Sequence, residues 1–85
     1  MTFRVLYERR ALKDLKRLDR PVALRIVAKI SNVAEHGYGY EPLTDFQYGW
    51  KIRIGDYRAL CEVDFESRQI KIYVIAHRRE VYRQR

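Results

Sequence analysis

Two runs of strand character, WKIRI over residues 50–54 and YRALCEVD over residues 57–64, are separated by Gly55 and Asp56 alone. Glycine supplies the positive φ that a two-residue hairpin turn needs, so the runs are expected to fold back on each other as antiparallel strands. So short a loop also fixes register. Ile54 must face Tyr57, Arg53 must face Arg58, Ile52 must face Ala59 and Lys51 must face Leu60. Opposed residues point to the same side of a sheet. Trp50, Ile52, Ile54, Tyr57, Ala59, Cys61 and Val63 therefore form a core face. Lys51, Arg53, Arg58, Leu60 and Glu62 form the other. Like charges set opposite each other cost stability, so the Arg53–Arg58 pair makes sense if an anion normally lies between them.

The rest of the 85 residues fits one domain around that hairpin. Residues 2–7 (TFRVLY) alternate as a strand, with Phe3, Val5 and Tyr7 on one side. Residues 8–18 place Ala11, Leu12, Leu15 and Leu18 at helical spacing, with Arg10, Lys13, Lys16 and Arg17 mostly opposite, a basic amphipathic helix. Asp19 is an N-cap and Pro21 suits the first turn of a second helix. Val22, Ile26, Ile30 and Val33 stripe that helix, which ends near Gly37. Residues 37–49 (GYGYEPLTDFQYG) read as a turn-rich loop. Residues 69–76 (QIKIYVIA) read as a last strand. If Ile70, Ile72 and Val74 enter the core, then Lys71, Tyr73 and His77 join the cationic face, with Arg78 and Arg79 at its edge. The expected fold is α+β, order β-α-α-β-β-β plus a short basic segment, with two helices on one face of an antiparallel sheet.

Charge narrows the partners. There are 18 Lys and Arg against 11 Asp and Glu, a net +7, concentrated as +4 in residues 1–20 and +3 in residues 77–85. A small domain with that surplus seeks a polyanion, nucleic acid above all. No apolar run approaches the roughly 20 residues of a membrane span, and the first residues lack a signal-peptide apolar region. Cys61 stands alone, so no internal disulfide forms, and a reducing cytoplasm is the expected compartment. His36 and His77 are far apart and unclustered with carboxylates, so neither a metal centre nor a cofactor is expected.

The pattern holds no paired carboxylates flanking a cleft, no Ser/His/Asp order and no phosphate-cradling glycine loop. What remains is a Lys/Arg/His/Tyr set suited to a phosphate. Such a set fits metal-free RNA cleavage, because RNA brings its own nucleophile, the 2′-OH. The protein must hold it in line, take one proton, give another and neutralise charge growing on phosphorus. Arginine does the last well and is a poor base. Lysine loses its proton more readily when cations crowd it, as Arg53 and Arg58 crowd Lys51. His77 titrates nearest neutrality, and Tyr82 beside arginines suits stacking on a base.

The segments WKIRIGDYRALCEVD and IAHRREVYR are similar to the signature of the RelE/ParE toxin superfamily, most closely its RelE branch. The first strand, the ERRALKDLKRL helix and the second helix resemble that family too, so the likeness spans nearly the whole chain. It implies the toxin of a type II toxin–antitoxin pair, a ribosome-dependent endoribonuclease that inhibits translation. Such toxins enter the ribosomal A site and cut mRNA by 2′-OH attack, leaving a cyclic phosphate and a 5′-OH. By that resemblance Lys51 holds the first basic position and serves as, or helps to form, the general base. Arg53 occupies a position that is often lysine. Arg58 matches the arginine that stabilises the pentavalent phosphate, Arg78 the arginine proposed as general acid, and Tyr82 the tyrosine that stacks on the substrate base. Arginine at 53 removes one base, leaving Lys51 or His77. The loop LTDFQYGW departs from the family's usual Leu-x-Gly pattern. Arg10, Lys13, Lys16, Arg17, Arg79 and Arg83 are expected to meet RNA or ribosome.

The resemblance further implies a cognate RelB-like antitoxin whose helix and extended segment wrap the domain in a heterotetramer or larger assembly. Exposed aromatics in residues 37–50 are expected to receive it. Two other functions remain open. ParE-type members poison DNA gyrase without cutting RNA, and a non-catalytic nucleic-acid-binding domain would show steep salt dependence alone.

Overall fold

The computed structural model describes residues 2–44 and 47–83. The chain runs β1 (Arg4–Tyr7), α1 (Arg9–Lys16), α2 (Arg20–His36), β2 (Tyr40–Pro42), β3 (Trp50–Ile54), β4 (Tyr57–Asp64), β5 (Gln69–His77) and a 3-10 turn (Val81–Arg83). It is an α+β fold in the expected order, with two corrections to the sheet. The five strands lie in the order β1-β5-β4-β3-β2. They form a mixed sheet, because β1 runs parallel to β5 while the other pairs are antiparallel. A parallel pair needs a long crossover, and everything between β1 and β5 supplies it. The second correction is β2, which arises inside the stretch read as a loop. Three residues are too few to show a period, and Pro42 withholds a ladder donor, which suits an edge. Asp45 and Phe46 of that stretch lie outside the described residues.

Both helices pack on one sheet face. Ile26, Ile30 and Val33 of α2 meet Ile52, Ala59, Cys61, Ile70 and Ile72. Asp19 stands at the N-cap of α2, and Gly37 closes the helix at φ 79°, its N–H donating to Val33 O. In α1 the expected stripe is altered. Ala11 is buried, whereas Leu12 is exposed and Asp14 points inward at 7% exposure. Asp14 is drawn in because its Oδ2 accepts the backbone N–H of Ile75 at 2.9 Å, while Oδ1 accepts Arg10 Nε at 3.1 Å. β1 pairs with β5 no further than Ile72, and the carboxylate satisfies the donor beyond that point.

The hairpin register is the expected one, from Trp50↔Cys61 to Ile54↔Tyr57, and Gly55 takes φ 58° at the turn. The last strand departs from its pattern. Leu60 pairs with Val74 but Cys61 pairs with Ile72, so β5 carries a bulge. One extra residue reverses the alternation that follows. Val74 consequently leaves the main core for the outer face, where it clusters with Leu60 and Val81. Ile75 enters the core in its place.

Candidate active site

The outer face of the sheet gathers Lys51, Arg53, Arg58 and Tyr82. Lys51 and Arg53 project from β3 and Arg58 from β4, with Arg53 opposite Arg58. The two guanidinium groups do not confront each other. Arg58 is 8% exposed, and its Nη1 donates to Gly55 O and Tyr57 O, both at 2.9 Å. Arg53 leans the other way, 3.7 Å from Glu41 Oε2. The turn carbonyls and Glu41 thus relieve the repulsion without an anion between the arginines.

Tyr82 reaches this wall because Val81 is buried against Leu60 and Val74, which pins the chain across the sheet. Lys51 Nζ donates to Tyr82 Oη at 3.4 Å, lies 5.9 Å from that ring's centroid and sits 3.9 Å from Glu41 Oε1. Glu41 was not among the expected site residues. It stands opposite Lys51 in the β2–β3 ladder, so its place follows once β2 is recognised.

The remaining expected residues scatter. The Arg78 N–H donates to Asp56 O at 2.7 Å and its Nε lies 3.8 Å from Asp56 Oδ1, so it rims the turn. His77 does not join the cationic face. The bulge sends it to the helix side, opposite Tyr57, with the two rings 5.6 Å apart. There it lines a cleft with Arg10 and Arg17, and its Nδ1 accepts the Arg79 N–H at 3.2 Å. Lys13 and Lys16 are exposed on α1, and Arg79 is exposed after β5. The Arg83 side chain lies outside the described residues. Of the aromatics expected to receive a partner, Tyr38 is 70% exposed. Tyr40 and Trp50 pack against the core, and Tyr48 packs beside Leu60 and Val74.

Cys61 is no nucleophile. Burial pushes its thiol up to about 12, with Glu62 adding to the effect, and the thiol is not the reactive form. Among the described residues no three His, Cys, Asp or Glu side chains converge as metal ligands do. No helix among them is long and apolar enough to cross a membrane.

Residues 5–82 match the family described as the ParE toxin of type II toxin–antitoxin systems, parDE. The chain belongs to this toxin family. A search of curated protein sequences found no match. In fold the toxin is similar to the toxin–antitoxin complex RelBE2 from Mycobacterium tuberculosis, with TM-score 0.77 and 21% identity over 91% of this chain and 99% of that one. A free double arginine-to-alanine variant of Escherichia coli RelE gives 0.77 and 20% over 95% and 88%. The archaeal RelE–RelB complex from Pyrococcus horikoshii gives 0.68 and 24% over 92% and 97%. The protein is therefore a toxin of the type II ParE family, and its fold is that of the RelE structures.

Proposed function

We propose that this toxin is a ribosome-dependent, metal-independent endoribonuclease that cuts mRNA in the A site and so inhibits translation. The convergence of Lys51, Arg53, Arg58 and Tyr82 on one wall carries the reading. The substrate 2′-OH attacks the adjacent phosphorus and the 5′-oxygen leaves. The products are a 2′,3′-cyclic phosphate and a 5′-OH. With His77 on the far side of the sheet, proton removal falls to Lys51. Lys51 acts there as the neutral amine, and Glu41, within 4.0 Å of both Lys51 and Arg53, holds that amine in place and takes up the proton it removes from the 2′-OH. A guanidinium carries five N–H donors, so Arg58 keeps Nε and Nη2 for the phosphorane charge after Nη1 is taken by the turn. Arg78 stands at the turn rim, where it would serve the departing 5′-oxygen, and Tyr82 stacks on a base. The exposed cations of α1, with Arg79, would meet ribosomal RNA.

The relatives in fold include toxin–antitoxin complexes, which supports a cognate antitoxin here; the heterotetramer or larger assembly is part of the same proposal. Leu12, Leu24 and Val27 expose apolar surface on α1 and α2 for it to cover.

Primer extension on mRNA from cells expressing the toxin tests the nuclease. Loss of one transition-state donor costs about 10²–10³-fold, so Lys51→Ala and Arg58→Ala should abolish new 5′ ends. Lys51→Ala should leave folding and antitoxin binding intact, whereas Arg58→Ala, which also removes a brace of the Gly55 turn, is read beside its own thermal unfolding. Cleavage at the parental rate by both variants would refute the site. A second reading, inhibition of DNA gyrase without cleavage, is favoured by the family description itself. Inhibition of DNA supercoiling by the purified toxin, with no mRNA cleavage, would establish it.

A further inference from the structure

The β5 bulge sends two consecutive side chains, Tyr73 and Val74, to the outer face. Val74 clusters with Leu60 and Val81. Tyr73 instead stacks on Tyr48, with ring centroids 4.7 Å apart and planes 15° from parallel. Lys71 Nζ lies 6.0 Å from the Tyr73 centroid and 4.0 Å from Glu8 Oε2. The segment carrying Tyr48 is tied down at both sides: the Leu43 N–H donates to Gly49 O at 2.8 Å, and the Gly49 N–H to Glu62 Oε2 at 3.2 Å. Lys51 pairs with Leu60, and Leu60 with Val74, beside Tyr73. At about 4.8 Å per strand, the stack begins about 10 Å from the Lys51 backbone.

Two stacked, partly buried rings on a face that also carries cations match how unpaired nucleic acid is held. Positive charge follows the backbone while aromatic faces take successive bases. We propose that the Tyr48–Tyr73 pair is a stacking subsite for an unpaired RNA base next to the one held at Tyr82, with Lys71 at its rim. The occupant is RNA rather than a protein because the chain carries net charge +7, and the cations of this face, Lys51, Arg53, Lys71 and Arg78, meet their carboxylate partners only at 3.7–4.0 Å, long solvent-facing pairs that a phosphate displaces at little cost. The subsite rests on the RNA-cleaving reading and extends its surface by one nucleotide.

Binding of 2′-O-methyl hexa-adenylate tests it, since this probe lacks the attacking hydroxyl and reports affinity alone. Tyr73→Leu keeps apolar contact with Leu60 and Val74 but deletes the ring. It should weaken binding at least about fivefold while thermal unfolding stays close to wild type. Tyr73→Trp should restore the affinity, which a purely structural role for the ring would not require. Lys71→Gln should reduce the slope of log affinity against log salt by about 0.7. Equal binding by wild type and Tyr73→Leu, or no binding by wild type, overturns the subsite. Cleavage of ribosome-bound mRNA by wild type is scored separately. Its absence removes the nuclease reading, and the hexanucleotide comparison still decides the subsite.

Discussion

Replacing Asp14 by alanine should destabilise the domain more than any surface charge change. Asp14 is a carboxylate at 7% exposure whose Oδ2 accepts the Ile75 N–H at 2.9 Å. A hydrogen bond to a charged group contributes about 1.5–3 kcal/mol, and a buried donor left unpaired costs about 1–3 kcal/mol. The same carboxylate meets Arg10 at 3.1 Å, but Arg10 is half-exposed, and such an i,i+4 pair adds only about 0.3–0.5 kcal/mol. The Ile75 contact dominates, and Asp14→Ala should lose about 2–3 kcal/mol. In a domain of this size that lowers Tm by roughly 10–20 °C. Asp14→Asn keeps a carbonyl acceptor and should lose about half as much. Urea unfolding and calorimetry measure both, and hydrogen exchange at the Ile75 amide reports the bond directly. A loss below about 0.5 kcal/mol, with the Ile75 amide still protected, would show that the α1–β5 tie is not what holds the end of β5.

Other expectations are read off single positions. At Gly39, φ is 109° and a Cβ would sit 2.8 Å from Val33 Cγ2, so Gly39→Ala should cost about 1–3 kcal/mol in chemical denaturation. Gly55→Val should cost at least about 1 kcal/mol, because φ is 58° in the turn that sets the Arg53–Arg58 register. The Cys61 thiol should resist iodoacetamide at pH 8 until the domain unfolds. Its folded pKa of about 12 exceeds the ordinary 9.0, so the folded state binds the proton more tightly. Stability from this site is complete below pH 9 and falls as pH rises towards 12. A Cys61→Ala variant should lose stability less steeply over that range. Asp64 behaves oppositely: backbone N–H donors from Ser67 and Glu66 hold its carboxyl below its ordinary value. Its contribution is present at neutral pH and lost on acidification, and Asp64→Asn should flatten that acid limb.

How far the residues foretell the fold depends on what fixes parity. The two-residue loop at Gly55-Asp56 determines the whole β3–β4 register, and every pairing from Lys51 to Arg58 is as the turn dictates. Nothing in QIKIYVIAH marks a bulge, so alternation carried past Tyr73 puts Val74 and His77 on the wrong sides. β1 has no turn to name its neighbour, and its parallel pairing with β5 is a tertiary choice. Leu12 belongs to the apolar stripe of the basic helix and Asp14 does not, yet Asp14 is buried and Leu12 exposed. The reversal comes from one unpaired strand N–H that no local pattern displays. At the site, the cations and Tyr82 are legible because hairpin and tail carry them. Glu41 is not, because β2 has three residues.

The two carbonyls that grip Arg58 have a consequence for whatever anion arrives. A free arginine side chain holds about 2 kcal/mol of rotamer entropy, and here folding has already removed part of it by fixing Nη1 on the Gly55 and Tyr57 oxygens. A ligand therefore meets a donor fork already aimed, rather than a swinging arm that must be stilled on contact. Lysine at this position would keep the charge but restore the motion, and the difference would appear as an unfavourable binding entropy.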